Sequence, residues 1–253
     1  METVRMRQLL EEQVAEANCK FTGLQLNEGQ DGKYSVAGIL EFRSDYNDKE
    51  IEDAYNIEIL IPDDYPSTVP RTRSVDGKVP KEFHTYPENL TFCTGVPLCE
   101  KLIFFEQPTL MNYIEKLLVP YLFSYSYLQK YRELPYGELG HGAPGILSFY
   151  KELFNVHDDY QALAMLTFLA DYKYKGHYPC PCGNKKKLRD CHGPTILKAM
   201  KYHSKKEFEV ECMSVFVYLK ETDKNDPELF QYIPNSMRIA FARKHRKNRL
   251  RNR

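Results

Sequence analysis

The stretch YNIEILIPDDYPSTVP, residues 55–70, decides how the N-terminal half of the chain folds. From Tyr55 to Ile61 every second residue is a large apolar one, which predicts a strand of an antiparallel sheet with one buried face. The prolines that follow remove backbone donors and fix φ, so the chain has to leave the sheet as an extended loop. RTRSV (71–75) is then expected to return as an edge strand.

The residues before this stretch predict a helix and a hairpin. Residues 2–18 place apolar side chains at steps of three and four, which is typical of an amphipathic helix: Met6, Leu10, Val14 and Ala17. CKFTGLQL (19–26) and YSVAGILEFR (34–43) flank the turn sequence EGQDG, as two strands of a hairpin do. The N-terminal part is therefore expected to be α+β, a helix on a four-stranded antiparallel meander.

The residues after position 75 predict a mostly helical remainder. Residues 76–107 show no sustained period, and TLMNYIEKLLVPYL (109–122) after Pro108 predicts a core helix. Its five nearby tyrosines, from Tyr121 to Tyr136, are expected to pack in the core. Further helices are expected at about 122–132, 145–153, 158–173, 195–203 and 206–220.

The thirteen residues CPCGNKKKLRDCH (180–192) predict a metal site. Four soft or borderline ligands lie close together, and Gly183 lets the backbone turn tightly between them: Cys180, Cys182, Cys191 and His192. Such a donor set suits one tetrahedral Zn²⁺ with no position left for water. The site would then be structural, or would present its Lys/Arg loop to a partner; four free side chains without metal are the alternative.

This stretch resembles the SEC-C motif, a small zinc module at the end of the bacterial translocation motor SecA and in many other bacterial proteins. The resemblance covers Tyr178 to Gly193. Because the module docks proteins in SecA, the resemblance implies a protein-docking role here.

The N-terminal half resembles the ubiquitin-conjugating enzyme fold over residues 1–125. The residues that carry the resemblance are Tyr65, Pro66 and Pro70 after the third strand, His84, Pro87 and Asn89 before a cysteine, and QPTL (107–110) at the next helix. The likeness is to divergent bacterial members of the RWD/UBC superfamily, some of which belong to anti-phage operons.

The resemblance implies a transferase that carries a ubiquitin-like modifier as a thioester. Cys93 would be the nucleophile, Asn89 the oxyanion donor, and His84 a residue that shapes the loop. The partners would be the modifier, an activating enzyme and a target protein whose amine receives the modifier. No nucleotide loop for adenylation is found, since Pro144 interrupts GHGAPG (140–145), so activation would come from another protein.

Other interpretations remain open at this point. Here two residues separate His84 from Pro87 and Thr94 follows the cysteine, whereas the family motif is contiguous and a leucine follows the cysteine. RWD-type relatives keep the fold and only bind partners, so Cys93 could instead be buried packing in a non-catalytic adaptor. Cys99 is a weaker nucleophile candidate in what could be a short buried strand, and Cys19 and Cys212 are expected in the core.

Charge is unevenly distributed along the chain. Lys+Arg and Asp+Glu number 35 each in the 253 residues, but residues 238–253 hold eight Lys/Arg and no acid, which leaves 27 against 35 elsewhere. This tail could attract nucleic acid or an anionic surface, dock on acidic protein, or remain solvated. A nucleic-acid-associated factor is thus a third functional candidate.

The sequence also suggests a compartment and a division into parts. No stretch approaches about 20 uncharged apolar residues, the N-terminus is too polar for a signal peptide, and the cysteine pattern fits reduced thiols, so a cytoplasmic protein is expected. The expected parts are a ubiquitin-conjugating-like domain (1–125), a helical extension (126–176), the zinc motif (177–194), C-terminal helices (195–237) and the basic tail (238–253). In the glycine-rich loop, Glu138 and His141 could serve acid-base chemistry or lie in a solvated turn.

Overall fold

The computed structural model describes residues 2–136, 142–222, 228–235 and 238. The chain divides into two compact units, Met1–Glu138 and Leu139–Arg253. The Glu138/His141 loop and the basic tail beyond Arg238 lie outside the described residues.

The first unit opens with the predicted amphipathic helix, α1 (Glu2–Asn18). Leu10, Val14 and Ala17 are buried against the sheet, which confirms the predicted face. Asn18 ends the helix and fixes the next strand, because its side chain donates to the Leu24 carbonyl at 2.8 Å and accepts from the Leu24 amide at 3.0 Å.

Four antiparallel strands follow in the order in which they occur along the chain, as predicted. They are β1 (Leu24–Glu28), β2 (Tyr34–Tyr46), β3 (Lys49–Leu60) and β4 (Arg71–Ser74). The third strand is longer than the alternation at 55–61 predicted, because Asn47 and Asp48 form a two-residue turn at φ 50° and 61°. Such a turn matches strand twist and lets pairing begin at once, with Tyr46 opposite Lys49.

The YPSTVP loop leaves the sheet as predicted and packs under α1. Tyr65, which precedes a cis Pro66, is buried and donates its hydroxyl to Oε1 of the buried Gln13 on α1. The same oxygen accepts from the Leu110 amide at 2.9 Å. One buried amide side chain therefore joins the first helix, the loop and the start of the central helix.

The segment without a sequence period contains a helix, α2 (Pro97–Phe104). The interpretation of PLCEKL as a short buried strand was therefore wrong: it begins α2, and Cys99 is half-buried on that helix. A proline at the first helical position favours this start, because its missing N–H would have no partner in a helix.

The two helices predicted on either side of position 122 form one continuous helical run. It comprises α3 (Leu110–Tyr113), a π-helical turn (Ile114–Leu118) and α4 (Val119–Tyr131). Pro120 has no N–H and its ring crowds the carbonyl four residues earlier, which a wider π turn relieves. Tyr121, Tyr125 and Tyr127 are buried, in agreement with the predicted core role, whereas Tyr136 is exposed.

The second unit is helical. Its helices are α5 (Ala143–Leu153), α6 (Asp159–Asp171), α7 (Gly193–Tyr202) and α8 (Lys205–Thr222), with 3-10 turns at Leu188–Asp190 and Glu228–Tyr232. Cys212 on α8 lies in the core as predicted, but Cys19 in the first unit is exposed, so that prediction was wrong. None of the helices in the described residues combines the length and apolar character that crossing a bilayer requires.

Candidate thiol site and metal centre

The loop that carries Cys93 is a small hairpin-like structure fixed to the edge of the sheet. Thr85 and Phe92 form an antiparallel bridge, and the Cys93 amide donates to the His84 carbonyl at 2.7 Å. The Phe92 amide donates to the Thr72 carbonyl of β4, also at 2.7 Å. The cysteine backbone is therefore anchored to the last strand.

Two residues of this loop have a backbone conformation that side chains disfavour. His84 and Leu90 lie at φ 46° and 58°, in the left-handed region, although neither is glycine. Leu90 is also 51% exposed. Strained residues of this kind often cluster at functional loops, because the surrounding structure has to hold them in place.

The Cys93 side chain is half-buried, and its sulfur lies 3.7 Å from the Gly95 carbonyl oxygen. The Tyr86 side chain, on the opposite arm of the loop, lies beside Cys93. Burial raises the pKa of the Tyr86 hydroxyl, and the neighbouring Glu100 carboxylate and Cys93 thiolate raise it further. Tyr86 thus stays protonated and can donate its hydrogen to a group at the sulfur.

An ion pair lies behind Tyr86. Glu100 on α2 is only 1% exposed, and it accepts a 2.8 Å hydrogen bond from the Arg71 guanidinium and a 2.5 Å bond from the Thr94 hydroxyl. The Arg71 guanidinium in turn lies 5.2 Å from the centre of the Tyr86 ring. A buried carboxylate needs such partners, so the arrangement holds the residues on both sides of Cys93 in place.

His84 precedes the bridge between Thr85 and Phe92 and is half-buried. Its carbonyl accepts from Cys93, and also from the Tyr121 hydroxyl at 3.3 Å. Its ring packs on Phe83, with the ring centres 4.6 Å apart.

Asn89 is exposed at the tip of the loop. Its side-chain oxygen accepts from the amide and the hydroxyl of Thr91, at 3.1 and 2.8 Å. The side chain therefore stabilises the turn between Tyr86 and Thr91, and its oxygen is committed to that turn.

Sequence reasoning missed Tyr86, Arg71 and Glu100. The sequence did contain a signal for Glu100. In a helix that starts at Pro97, Glu100 lies four residues before Phe104 and therefore on the apolar face. An acid at such a position needs a cation, and Arg71 begins the neighbouring edge strand. No sequence pattern indicated Tyr86, because only the fold of the loop brings this residue to Cys93.

The second site is the cluster predicted from the cysteine pattern. Cys180, Cys182, Cys191 and His192 bring their ligand atoms within 4.8 Å of one another, so together they could hold a metal ion. Nδ1 of His192 lies 3.3 Å from the Cys180 sulfur and 3.2 Å from the Cys191 sulfur. The sulfurs of Cys182 and Cys191 are 3.6 Å apart.

A short hairpin forms this cluster. Pro179 pairs with Lys187, and the Cys180 amide donates to the Lys186 carbonyl at 2.8 Å. Gly183 and Lys185 turn the chain at φ 83° and 62°. Asn184, between them, donates to the Cys191 sulfur at 2.8 Å. The turn thus supplies both the spacing of the ligands and an amide that stabilises a thiolate.

Helices of the second unit hold the hairpin. The Gln161 side chain on α6 donates to the Cys182 carbonyl at 3.2 Å, and Phe154 packs edge-on against His192. α7 begins directly after His192, at Gly193. A Cβ at Gly193 would lie 2.6 Å from the Leu188 carbonyl oxygen and 2.7 Å from the Tyr174 hydroxyl, so this position requires glycine.

The thiols of the cluster differ in acidity. Burial raises the pKa of Cys180 to about 12. Burial also raises the pKa of Cys191, but hydrogen bonds from Asn184 and the neighbouring thiols outweigh it and hold that pKa below its ordinary value.

Comparison with known proteins gave no match among family models, curated proteins or solved structures.

Proposed function

We propose that Cys93 carries a ubiquitin-like modifier as a thioester and transfers it to a target amine. The observation that supports this best is the position of the thiol: Cys93 is half-buried, its backbone is anchored to His84, and a protonated Tyr86 lies beside its sulfur. A buried structural cysteine has no need of a strained loop with a polar neighbour.

The transfer takes two steps. In the first, the modifier arrives as a thioester of an activating enzyme. The Cys93 thiolate attacks the carbonyl carbon of this thioester, and the activating enzyme's thiolate leaves. In the second, a neutral amine of the target attacks the new thioester, loses a proton to solvent and expels the Cys93 thiolate, which leaves an amide bond. Each step passes through an oxyanion that needs a hydrogen-bond donor.

The residues around the thiol would divide the remaining tasks. Tyr86 can donate to the oxyanion, and the Arg71–Glu100 pair holds its ring. Asn89 and His84 shape the loop, and the Asn89 amide group can add a second donor once the modifier is bound. The exposed Leu90 offers an apolar contact for the modifier's C-terminal segment.

We further propose that the Cys/His cluster binds one Zn²⁺. Three sulfurs and one imidazole nitrogen form a donor set that zinc prefers, with every position filled by the protein. The metal would close the hairpin as a docking module of the SEC-C type that recruits the target protein. The place of action would be the bacterial cytoplasm, with anti-phage defence as the setting.

Reconstitution tests the proposal. The full chain is incubated with the activating enzyme, the modifier and ATP, and analysed with and without thiol reductant. We expect a covalent adduct that the reductant removes and that Cys93→Ala does not form. An adduct that persists in Cys93→Ala would assign the chemistry to another residue.

A non-catalytic adaptor is the second candidate, and the commitment of the Asn89 oxygen to Thr91 favours it. The transferase and the adaptor predict different reactivities for the Cys93 thiol. Rapid alkylation of Cys93 in the folded protein supports the transferase, whereas protection until unfolding supports the adaptor.

A further inference from the structure

The hairpin around the Cys/His cluster carries a group of exposed basic side chains. We call it the knuckle basic face, and it consists of Lys173, Lys175, His177, Lys185, Lys186, Lys187 and Arg189, all exposed. None of them contributes a ligand to the cluster.

The backbone brings the two halves of this face together. The Leu188 amide donates to the Tyr178 carbonyl at 2.8 Å, and the Arg189 amide donates to the Gly176 carbonyl at 3.1 Å. With the bridge between Pro179 and Lys187, these bonds place residues 176–179 beside 187–189. Leu188 is fully buried and anchors the hairpin from the other side, so the basic side chains project from a fixed base.

The face has a large excess of positive charge. Residues 172–192 contain six Lys/Arg and one acid, Asp190. That acid lies 3.5 Å from Arg189 in a pair whose side chains are each 59% exposed, so it offsets little of the charge. Within the described residues, no ion pair joins Lys185, Lys186 or Lys187 to an acid.

Aromatic rings lie next to these charges. Tyr172 directly precedes Lys173, is 46% exposed, and stacks on Phe168 with the rings 11° from parallel. The Lys175 ammonium lies 5.3 Å from the centre of the Tyr178 ring. Lysines bind a phosphate backbone, and an exposed ring held from behind can stack on an unpaired base.

We propose that the knuckle basic face binds single-stranded nucleic acid. Lys185, Lys186 and Lys187 contact successive phosphates, and Tyr172 stacks on a base. An acidic protein surface would use the same charges but would have no use for the exposed ring, which is why nucleic acid fits better. The inference does not depend on any chemistry at Cys93.

Fluorescence anisotropy with a labelled 20-nucleotide oligouridylate tests this on the full chain. The variant combines Lys185→Asn, Lys186→Gln and Lys187→Gln, since asparagine tolerates the left-handed backbone at 185. We expect at least tenfold weaker binding in low salt. The slope of log K against log salt should become shallower by about 2, for three lost phosphate contacts on a single strand.

The control variant removes the same charge from exposed positions on α7 and α8, by Lys198→Gln, Lys201→Gln and Lys206→Gln. It should bind within about twofold of wild type, and Tyr172→Ala should lose fivefold or more. No binding by wild type in low salt, an unchanged affinity in the knuckle variant, or an equal loss in the control would overturn the proposal. Circular dichroism spectra of all variants should match wild type.

Discussion

At the scale of single residues, the thiol site depends on one contact that is not apparent from the sequence. Tyr86 reaches Cys93 only because the loop folds back on itself between Thr85 and Phe92. The Arg71–Glu100 pair then holds the Tyr86 ring. The protonated tyrosine can donate to an oxyanion that forms on a group bound at the sulfur.

Tyr86→Phe is expected to slow formation of the Cys93 thioester about fivefold at pH 7.5. This corresponds to loss of one hydrogen bond of about 1 kcal/mol to the oxyanion. The rate is read from the growth of the reducible adduct with time. Tyr136→Phe, an exposed tyrosine of the same unit, should leave the rate unchanged. Equal rates in wild type and Tyr86→Phe would show that Tyr86 takes no part in the reaction of Cys93.

Gly193→Ala is expected to destabilise the second unit by roughly 1–3 kcal/mol, the usual cost of forcing an extra carbon into a packed site. The new Cβ would meet the Leu188 carbonyl oxygen, which the hairpin cannot easily move. Chemical denaturation and metal content after purification measure the effect. Thr195→Ala, two residues further on the same helix, serves as the control and should change stability by less than about 0.5 kcal/mol. A Gly193→Ala variant as stable as the control would show that the hairpin can shift to accommodate the extra carbon.

At the scale of elements, the first unit joins its sheet to its central helix through a partly buried carboxylate. Asp53 on β3 accepts from the Ser126 hydroxyl of α4 at 2.7 Å and from the Tyr55 hydroxyl at 3.1 Å. It also pairs with Lys78. Burial raises the pKa of Asp53, but Lys78, Ser126 and the Ala54 amide outweigh it, so the pKa lies below its ordinary value.

Asp53→Asn is therefore expected to lower the stability of the first unit in a pH-dependent way. Because the carboxylate has a lower pKa in the folded than in the unfolded state, its contribution is complete well above pH 3.8 and is lost as the pH falls through the folded-state value. Urea denaturation at neutral pH should show a loss of about 1–2 kcal/mol. The difference between wild type and variant should shrink below pH 4. A difference independent of pH would mean that Asp53 acts through packing alone.

The elements that the sequence predicted well are those whose pattern reflects burial. α1, β2 and the edge strand β4 lie close to where the sequence placed them, whereas β1 begins at Leu24, five residues after the predicted start at Cys19. The Cys/His cluster was predictable for a related reason, since Cys180 to His192 are close along the chain and a short turn is enough to gather them.

The elements that the sequence did not predict depend on contacts between distant residues or on backbone geometry. α2 is short and carries the buried Glu100, so its apolar pattern is broken where Arg71 compensates the charge. The predicted division of the helical run at about position 122 was wrong, because the chain stays helical from Leu110 to Tyr131 and a π turn precedes Pro120. The place of Tyr86 follows from the loop and not from any local pattern.

At the scale of the whole molecule, the chain contains two compact units with separate sites. Cys93 lies in the first unit and the Cys/His cluster in the second. Each unit has its own buried apolar residues, such as Leu40 and Phe104 in the first and Leu166 and Phe216 in the second. A change at one site is therefore expected to leave the other intact.

Metal removal tests this separation. We expect one zinc per chain in purified protein, and a chelator should lower the thermal midpoint of the second unit, because the energy of metal binding contributes to folding. The alkylation rate of Cys93 should stay the same. Cys182→Ser should have the same effects as the chelator. Protein without metal, together with a harmless Cys182→Ser, would contradict the zinc assignment.

A trapped intermediate would show directly where the modifier is attached. Cys93→Ser should convert the thioester into an ester that resists thiol reductant and is cleaved by mild base. Tagged protein is isolated from its native cells and its peptides are examined by mass spectrometry. We expect a modifier C-terminus attached to the serine at position 93. A modifier found only on lysines, or none at all while wild type still forms a reducible adduct, would show that residue 93 is not the carrier.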